Sequence, residues 1–265
     1  VGIFDVLATK SALKKALKKK LILVDGIRAT SATFIHGGER IELIQWVVKG
    51  KRRQVQLALK VLYEDDHLAV VQKPAGIEVS GNRFLTVANA LAQNLEKSTA
   101  LDAVVPQPVH RLDYPTTGAL LVGKTGSAVM LLNQLFEIKQ IQKVYYAVAI
   151  GDMKPSGRVE VAVDGKISIS YYDVLQKISS ERFGFLSLVK LQPKTGRRHQ
   201  LRKHLASIGN PILGDADYGK EGLVLKGKGL YLHAYSLEFI HPVTQANVLV
   251  QSELPKKFLK LFPLL

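Results

Sequence analysis

From residue 67 to residue 239 the chain is a succession of short strand-like runs, and helical patterns interrupt them only at irregular intervals. The runs lie at 67–72, 118–122, 145–150, 159–163, 171–176, 184–191 and 230–239, each apolar or rich in β-branched and aromatic residues and bounded by turn formers. Apolar side chains at three- and four-residue spacing predict helices over 84–95 and 127–140, with a shorter one over 200–208. A doubly wound parallel sheet needs strand and helix to alternate regularly. Here they do not, so the order of elements predicts an α+β layer architecture.

The first fifty residues follow another pattern. Residues 9–20 place Ala12, Leu13, Ala16 and Leu17 on one helical stripe and lysines, among them Lys14 and Lys18, on the remaining surface. Leu21-Ile22-Leu23-Val24-Asp25-Gly26-Ile27 then carries an Asp-Gly hairpin signal, and Gly37-Gly38-Glu39-Arg40-Ile41-Glu42-Leu43 reads as a turn followed by a strand. Residues 1–53 hold twelve basic and four acidic side chains, a net +8 out of +15 for the 265 residues. So uneven a charge predicts a polyanionic partner. With no apolar run long enough to span a bilayer, that partner is nucleic acid rather than lipid. A lysine run alone is commonly just a solvated helix face; the hairpin and turn behind it favour binding.

The expected division is a basic module over 1–48, a linker over 49–60 opening on Lys49-Gly50-Lys51-Arg52-Arg53, and a second domain over 61–265. The chain has no cysteine, which excludes disulfides and thiolate metal sites. Its seven histidines include no HExxH pair, so no metal is expected either. Without a charged-then-apolar leader the expected compartment is the cytoplasm. The chain opens on Val1 rather than methionine, and a few native residues are expected to precede it.

The chemistry is sought first at Asp113, in His110-Arg111-Leu112-Asp113-Tyr114-Pro115-Thr116-Thr117-Gly118. Leu112 and the run Ala119-Leu120-Leu121-Val122 read as buried, so the Pro/Thr/Gly turn holds the carboxylate at a strand edge, where it needs a cation. The cation is expected in Thr195-Gly196-Arg197-Arg198-His199-Gln200-Leu201-Arg202-Lys203-His204, with Arg202 on a helix. Arg197 and Arg198, near the expected helix start, suit phosphate oxygens. On spacing alone Asp113 could equally cap a turn, Arg202 lie on an RNA-facing surface and Tyr145 fill a core. His110 invites a hydrolase triad, but no Gly-x-Ser-x-Gly elbow accompanies it.

These two segments resemble the HRLD…TSG and TGRxHQ(I/L)RxH motifs of the RluA-type pseudouridine synthases. Lys73-Pro74-Ala75-Gly76 resembles their KPAG and Lys143-Val144-Tyr145-Tyr146-Ala147 their KxYxA. Pro211-Ile212-Leu213-Gly214-Asp215 with Tyr218-Gly219 resembles their PIxGDxxYG. The matches run in order from about residue 62 to 242. The basic helix and hairpin resemble the αL RNA-binding module of a small-subunit ribosomal protein and of many rRNA-modifying enzymes.

The resemblance implies a long mixed, mainly antiparallel sheet with a central cleft, and isomerisation of uridine to pseudouridine in structured RNA without a cofactor. It makes Asp113 the catalytic group, pairs Arg202 with it as a salt bridge, and stacks Tyr145 on the target base. Arg111, Leu201, Arg197, Arg198, Lys73 and Lys143 are then expected to meet substrate, Lys14 and Lys18 to bind RNA outside the cleft, and Asp215 and Tyr218 to shape a turn. Tyr114 stands where the family often has a basic residue that helps displace the base, and Thr117 replaces the usual serine. The expected substrate is large-subunit rRNA, with tRNA as the alternative. A non-catalytic ribosome-assembly factor on the same scaffold is the reading from another class, and the expected state is a monomer.

Overall fold

The Asp25-Gly26 pair makes a two-residue turn with both residues at positive φ, 48° and 78°, the geometry that lets a right-twisted hairpin close in two residues. The computed structural model describes residues 10–44, 55–225 and 227–263. The chain divides into two compact units, Val1–Arg53 and Gln54–Leu265. In the first, α1 (Lys10–Lys18) precedes a three-stranded antiparallel sheet of β1 (Ile22–Val24), β2 (Ile27–Arg28) and β3 (Ile41–Leu43), in the order β2-β1-β3. Ala16, Ile22 and Ala29 form its small core, with Leu13 and Leu17 packed against them. Lys14 and Lys18 are exposed. The cluster from Lys49 to Arg53 lies outside the described residues.

The second unit is built on ten strands: β4 (Lys60–Glu64), β5 (Leu68–Lys73), β6 (Ala103–Pro108), β7 (Thr117–Thr125), β8 (Gln142–Ile150), β9 (Ser156–Glu160), β10 (Ile169–Ser180), β11 (Gly184–Pro193), β12 (Leu232–Ile240) and β13 (Asn247–Gln251). Its helices are α2 (Val87–Asn94), α3 (Gly126–Glu137), α4 (Gln200–Ser207) and α5 (Lys256–Leu261). One path runs β4-β5-β7-β12-β8-β11-β10-β9, with β6 added on β7 and β13 on β12. Every pairing is antiparallel except β7 with β12. This is the mixed, mainly antiparallel sheet that the resemblance implies.

Strands β5 and β7 read as unbroken apolar runs because both of their faces are covered. Ala69, Val71, Leu120 and Val122 point into one core with Val87, Ala90 and Leu91 of α2. Their alternates Leu68, Val70, Ala119 and Leu121 point into another with Leu132 of α3. Thr86 and Thr125 cap these helices, each hydroxyl accepting a backbone N–H three residues on at 3.2 Å.

The sheet forks where β7 meets β12. They pair only through Thr117 with His233 and Gly118 with Ala234, after which β6 takes over the edge of β7 and β13 that of β12. Gly118 makes the junction possible: its φ is +116°, and a Cβ there would stand 2.2 Å from the Ala234 carbonyl oxygen. Beside it the Thr117 hydroxyl meets His233 Nδ1 at 2.7 Å. The loop carrying Asp113 joins β6 to β7 at this fork.

Sequence patterning missed β4, β6, β13 and α5. β6 contains Pro106 and Pro108, which argue against a strand and are tolerated because β6 pairs on one side only. Val55 and Leu59, within the expected linker, are buried in the α2-side core, so the packed unit starts before residue 61.

Candidate active site

Asp113 is held by its backbone. The Lys73 ammonium, at 0% exposure, donates to the carbonyls of Pro74 (2.9 Å), Tyr114 (3.1 Å) and Thr116 (2.8 Å). The Gly76 N–H donates to the Tyr114 carbonyl as well, and the Thr116 N–H closes a turn on the Asp113 carbonyl at 3.0 Å. Leu112 is buried beneath. Burial pushes the Lys73 ammonium down to about 8 while the Asp113 carboxylate opposes the shift, so Lys73 stays protonated at neutral pH. Lys73 therefore cannot meet phosphate as expected: it is enclosed, and its three protons are spent on the loop. The Asp113 side chain, 15% exposed, faces a cavity of about 300 Å³.

That cavity gathers most of the expected residues. Arg111, Lys143, Tyr145, Arg197, Arg198 and Leu201 line it together with Asp113, although they come from three separate stretches of chain. Arg111, Arg197 and Arg198 are exposed at the surface, whereas Lys143 and Tyr145 are half-buried in β8. Burial, then the Asp113 carboxylate, pushes the Tyr145 phenol up, so Tyr145 is neutral and presents an uncharged ring. Burial lowers the Lys143 ammonium.

His110 is no triad member. Its Nε2 accepts the Leu121 N–H at 2.9 Å, extending the β6–β7 ladder by one side-chain bond. Burial, and then the Lys143 charge, push its pKa down to about 3, so the ring is neutral as that bond requires.

Arg202 does not meet Asp113. Its Nε donates to Asp215 Oδ2 at 2.8 Å, and its Nη2 to Asp215 Oδ1 and Asp217 Oδ2, both at 2.6 Å. Arg202 and Asp215 are 2% and 1% exposed, a buried fork-to-fork pair. Burial works against the Arg202 charge, but the carboxylates outweigh it and drive its pKa further up. The expected salt bridge fails because α4 turns residue 202 toward the loop after Leu213. There Asp215 also accepts the Asp217 and Tyr218 N–H groups, so it does shape a turn.

The rest of the basic segment divides in the same way. Gln200, buried, donates to the Ile169 carbonyl and Ser170 hydroxyl and accepts from Thr195 Oγ1 (2.7 Å) and the Arg197 N–H (3.0 Å). That Arg197 amide is thus already engaged, and Arg197 can meet an anion through its exposed guanidinium fork, as Arg198 can with its own. His204 is tied to Ser170 and the Val161 carbonyl.

Sequence reasoning overlooked His199. It caps α4 in the left-handed conformation, φ 57° and ψ 21°, which places Nε2 3.8 Å from Asp113 Oδ1 and Nδ1 3.0 Å from the Tyr218 hydroxyl. Burial lowers its pKa; the Asp113 carboxylate opposes this, and Arg202 and Arg198 add to it. A histidine directly before a helix, a residue type enriched in this conformation, was the available signal. Among the described residues no cluster of three or more His, Asp or Glu is placed to hold a metal. No described helix is long and apolar enough to cross a membrane.

Residues 67–207 match the RNA pseudouridylate synthase family. The ribosomal large subunit pseudouridine synthase D of Nitrosomonas europaea is 32% identical over 275 residues, covering 93% of this chain and 77% of its own. The ribosomal large subunit pseudouridine synthase C of Rickettsia bellii is 30% identical over 283 residues, covering 95% and 92%. Among solved structures, human RNA pseudouridylate synthase domain containing 4 superposes with a TM-score of 0.62 at 26% identity, over 76% of this chain and 90% of that one. The chain belongs to the RNA pseudouridylate synthases, isomerases of the RluA type.

Proposed function

We propose that this isomerase acts on uridine in large-subunit ribosomal RNA, with Asp113 as its catalytic group. The position of Asp113 carries the reading: it is the carboxylate on the cavity wall, fixed through its backbone, with its own oxygens free of hydrogen bonds among the described residues and facing the space that Tyr145 and Leu201 line. The names of both relatives support ribosomal RNA as substrate.

The isomerisation breaks the bond from ribose carbon 1′ to N1 of uracil, turns the base, and joins carbon 1′ to carbon 5. Carbon 5 loses one proton and N1 gains one. All bonds are exchanged within one nucleotide, so neither an oxidant nor a second substrate is required. A carboxylate serves as nucleophile or as proton acceptor in that sequence. Tyr145, a neutral ring, stacks on the extruded uracil, and the cations of Arg111, Arg197, Arg198 and Lys143 hold phosphate around it. Extrusion costs a few kcal/mol, which those contacts offset. The first unit, with Lys14 and Lys18 on its exposed face, adds salt-dependent affinity for RNA as an αL-type module. The protein works as a monomer in the cytoplasm.

The test is release of tritium to water from carbon-5-labelled uridine in ribosomal and transfer RNA transcripts. Release from the ribosomal transcript is expected, with Asp113→Asn slower by about 10²–10⁴-fold. No release from ribosomal RNA with a folded wild-type protein overturns the assignment, and release from tRNA alone moves it there.

A further inference from the structure

The cavity beside Asp113 does not end at its own rim. Phe136, Lys143, Pro193, Thr195, Gly196 and Arg197 line both it and a second hollow of about 460 Å³. Gln192 and Lys194 carry that hollow into a third of about 480 Å³ along β9 and β10, which Tyr171 walls. The three form one trench across the ends of β8, β11 and β10, all within the second unit. Its cations recur at intervals: Arg197 exposed at the first rim, Lys143 half-buried with Nζ 6.0 Å from the Phe136 ring, and Lys194 exposed with Nζ 5.9 Å from the Tyr171 ring. Tyr171 itself is 38% exposed. Glu137 and Asp173 also stand on the walls, and Arg158 at the far end is already paired with Glu160.

The isomerisation uses none of the outer trench, since one extruded base occupies only the first cavity. A polyanion threading outward from that cavity would meet a cation at each hollow and then an open aromatic face. This is the pattern that suits single-stranded nucleic acid, where phosphates want charge and every base has a face to stack. We infer that the trench holds the nucleotides on one side of the target uridine, with their phosphates on Arg197, Lys143 and Lys194 and a base stacked on Tyr171. The inference rests on the proposed function in that the strand enters from the reacting nucleotide.

The test combines variants with trimmed substrates. Tyr171 and Lys194 are exposed, so Tyr171→Ala and Lys194→Ala are expected to fold as the wild type does. With a tritiated ribosomal transcript, Tyr171→Ala is expected to lower kcat/KM about tenfold. Its single-turnover rate at saturating RNA should be unchanged, and Tyr171→Phe should keep wild-type behaviour. Lys194→Ala should weaken the salt dependence of KM by about one counterion. Short RNAs trimmed from either end should lower wild-type kcat/KM on one side only, and the same trim should lower that of Tyr171→Ala by less, since only its phosphate contacts remain to be lost.

The trench reading is overturned if Tyr171→Ala matches wild type, or if it still responds to trimming as wild type does. A separate arm measures anisotropy with a short single-stranded RNA. Binding that depends on Tyr171 in a protein releasing no tritium keeps the trench and removes the isomerisation; binding that ignores Tyr171 and Lys194 removes the trench whatever the tritium shows.

Discussion

The loop carrying Asp113 and the basic segment 195–204 both place charged residues near one cavity, but they fix them in opposite ways. In the first, neighbours grip the backbone: Lys73 and Gly76 hold carbonyls at 114 and 116, and the carboxylate has no hydrogen bond of its own among the described residues, with the His199 imidazole 3.8 Å away and the Lys73 ammonium and Tyr145 phenol within its field. In the second, Arg202 spends its own side chain on Asp215 and Asp217, while Arg197 and Arg198 stay open because Gln200 holds the chain beneath them. A charged group is available for chemistry when its surroundings satisfy the backbone, and it becomes structural when they satisfy the side chain. Type and spacing alone do not tell the two apart.

Changing the charge at 113 and at 202 should therefore separate activity from stability. Asp113→Asn is expected to lose about 10²–10⁴-fold in tritium release. Its urea midpoint should stay close to wild type, because the carboxylate makes no side-chain hydrogen bond among the described residues. A large drop in that midpoint would show the carboxylate to be structural. Arg202→Met should do the reverse and lose about 3–5 kcal/mol of stability, since it strands a buried Asp215 without its cation. If Arg202→Met unfolds like wild type but is inactive, then Arg202 belongs with the chemistry and the contrast collapses.

How much of this was legible depended on the range of the interaction. The Asp25-Gly26 hairpin was readable because two adjacent residues decide it. The apolar runs of β5 and β7 were readable because a strand buried on both faces shows itself in composition. The order of the motifs brought Asp113, Tyr145, Lys143, Arg197 and Leu201 to attention, and the fold gathers them around one cavity. The partner of Arg202 was not readable, because any of 22 acidic residues could have faced it and only the path after Leu213 selects Asp215. Lys73 misled for a related reason. A lysine at a strand end is ordinarily solvated, and its burial follows from three carbonyls that a distant loop brings to it. β6 was hidden by its prolines, whose cost is small on a strand with one free edge.

Lys73 offers the next sharpening of the comparison. Lys73→Met keeps the length of the side chain and removes the donor to the Pro74 and Thr116 carbonyls, while the Tyr114 carbonyl keeps the Gly76 N–H. About 1–3 kcal/mol of stability should be lost. Activity should fall as well, through a loosened Asp113 turn, even under conditions where the variant is fully folded. Full activity in folded Lys73→Met would show that the turn holds without its cation.

Acid should act on the two regions unequally, and this is the smallest effect per step. His110 accepts the Leu121 N–H, so its ring must stay neutral; protonation would set two donors against each other. His204 in α4 faces the Val161 carbonyl and the Ser170 hydroxyl, both able to accept, so the basic segment tolerates a protonated ring better. The folded pKa of His110, about 3, lies below the ordinary 6.5. Between those values the unfolded chain binds a proton that the folded chain does not, so stability falls as pH falls. For this group it is flat above about 6.5. The expected slope is about 1.4 kcal/mol per pH unit for His110, and His233, pushed down to about 4 by burial, adds a second such slope over a narrower window. Urea titrations between pH 7 and pH 5 measure the sum, to which His199 and His204, also lowered by burial, add. In His110→Gln, whose amide oxygen can accept the Leu121 N–H without titrating, the slope should be shallower by about 1.4 kcal/mol per pH unit. An unchanged slope would mean that the acid sensitivity resides elsewhere than in the Asp113 loop.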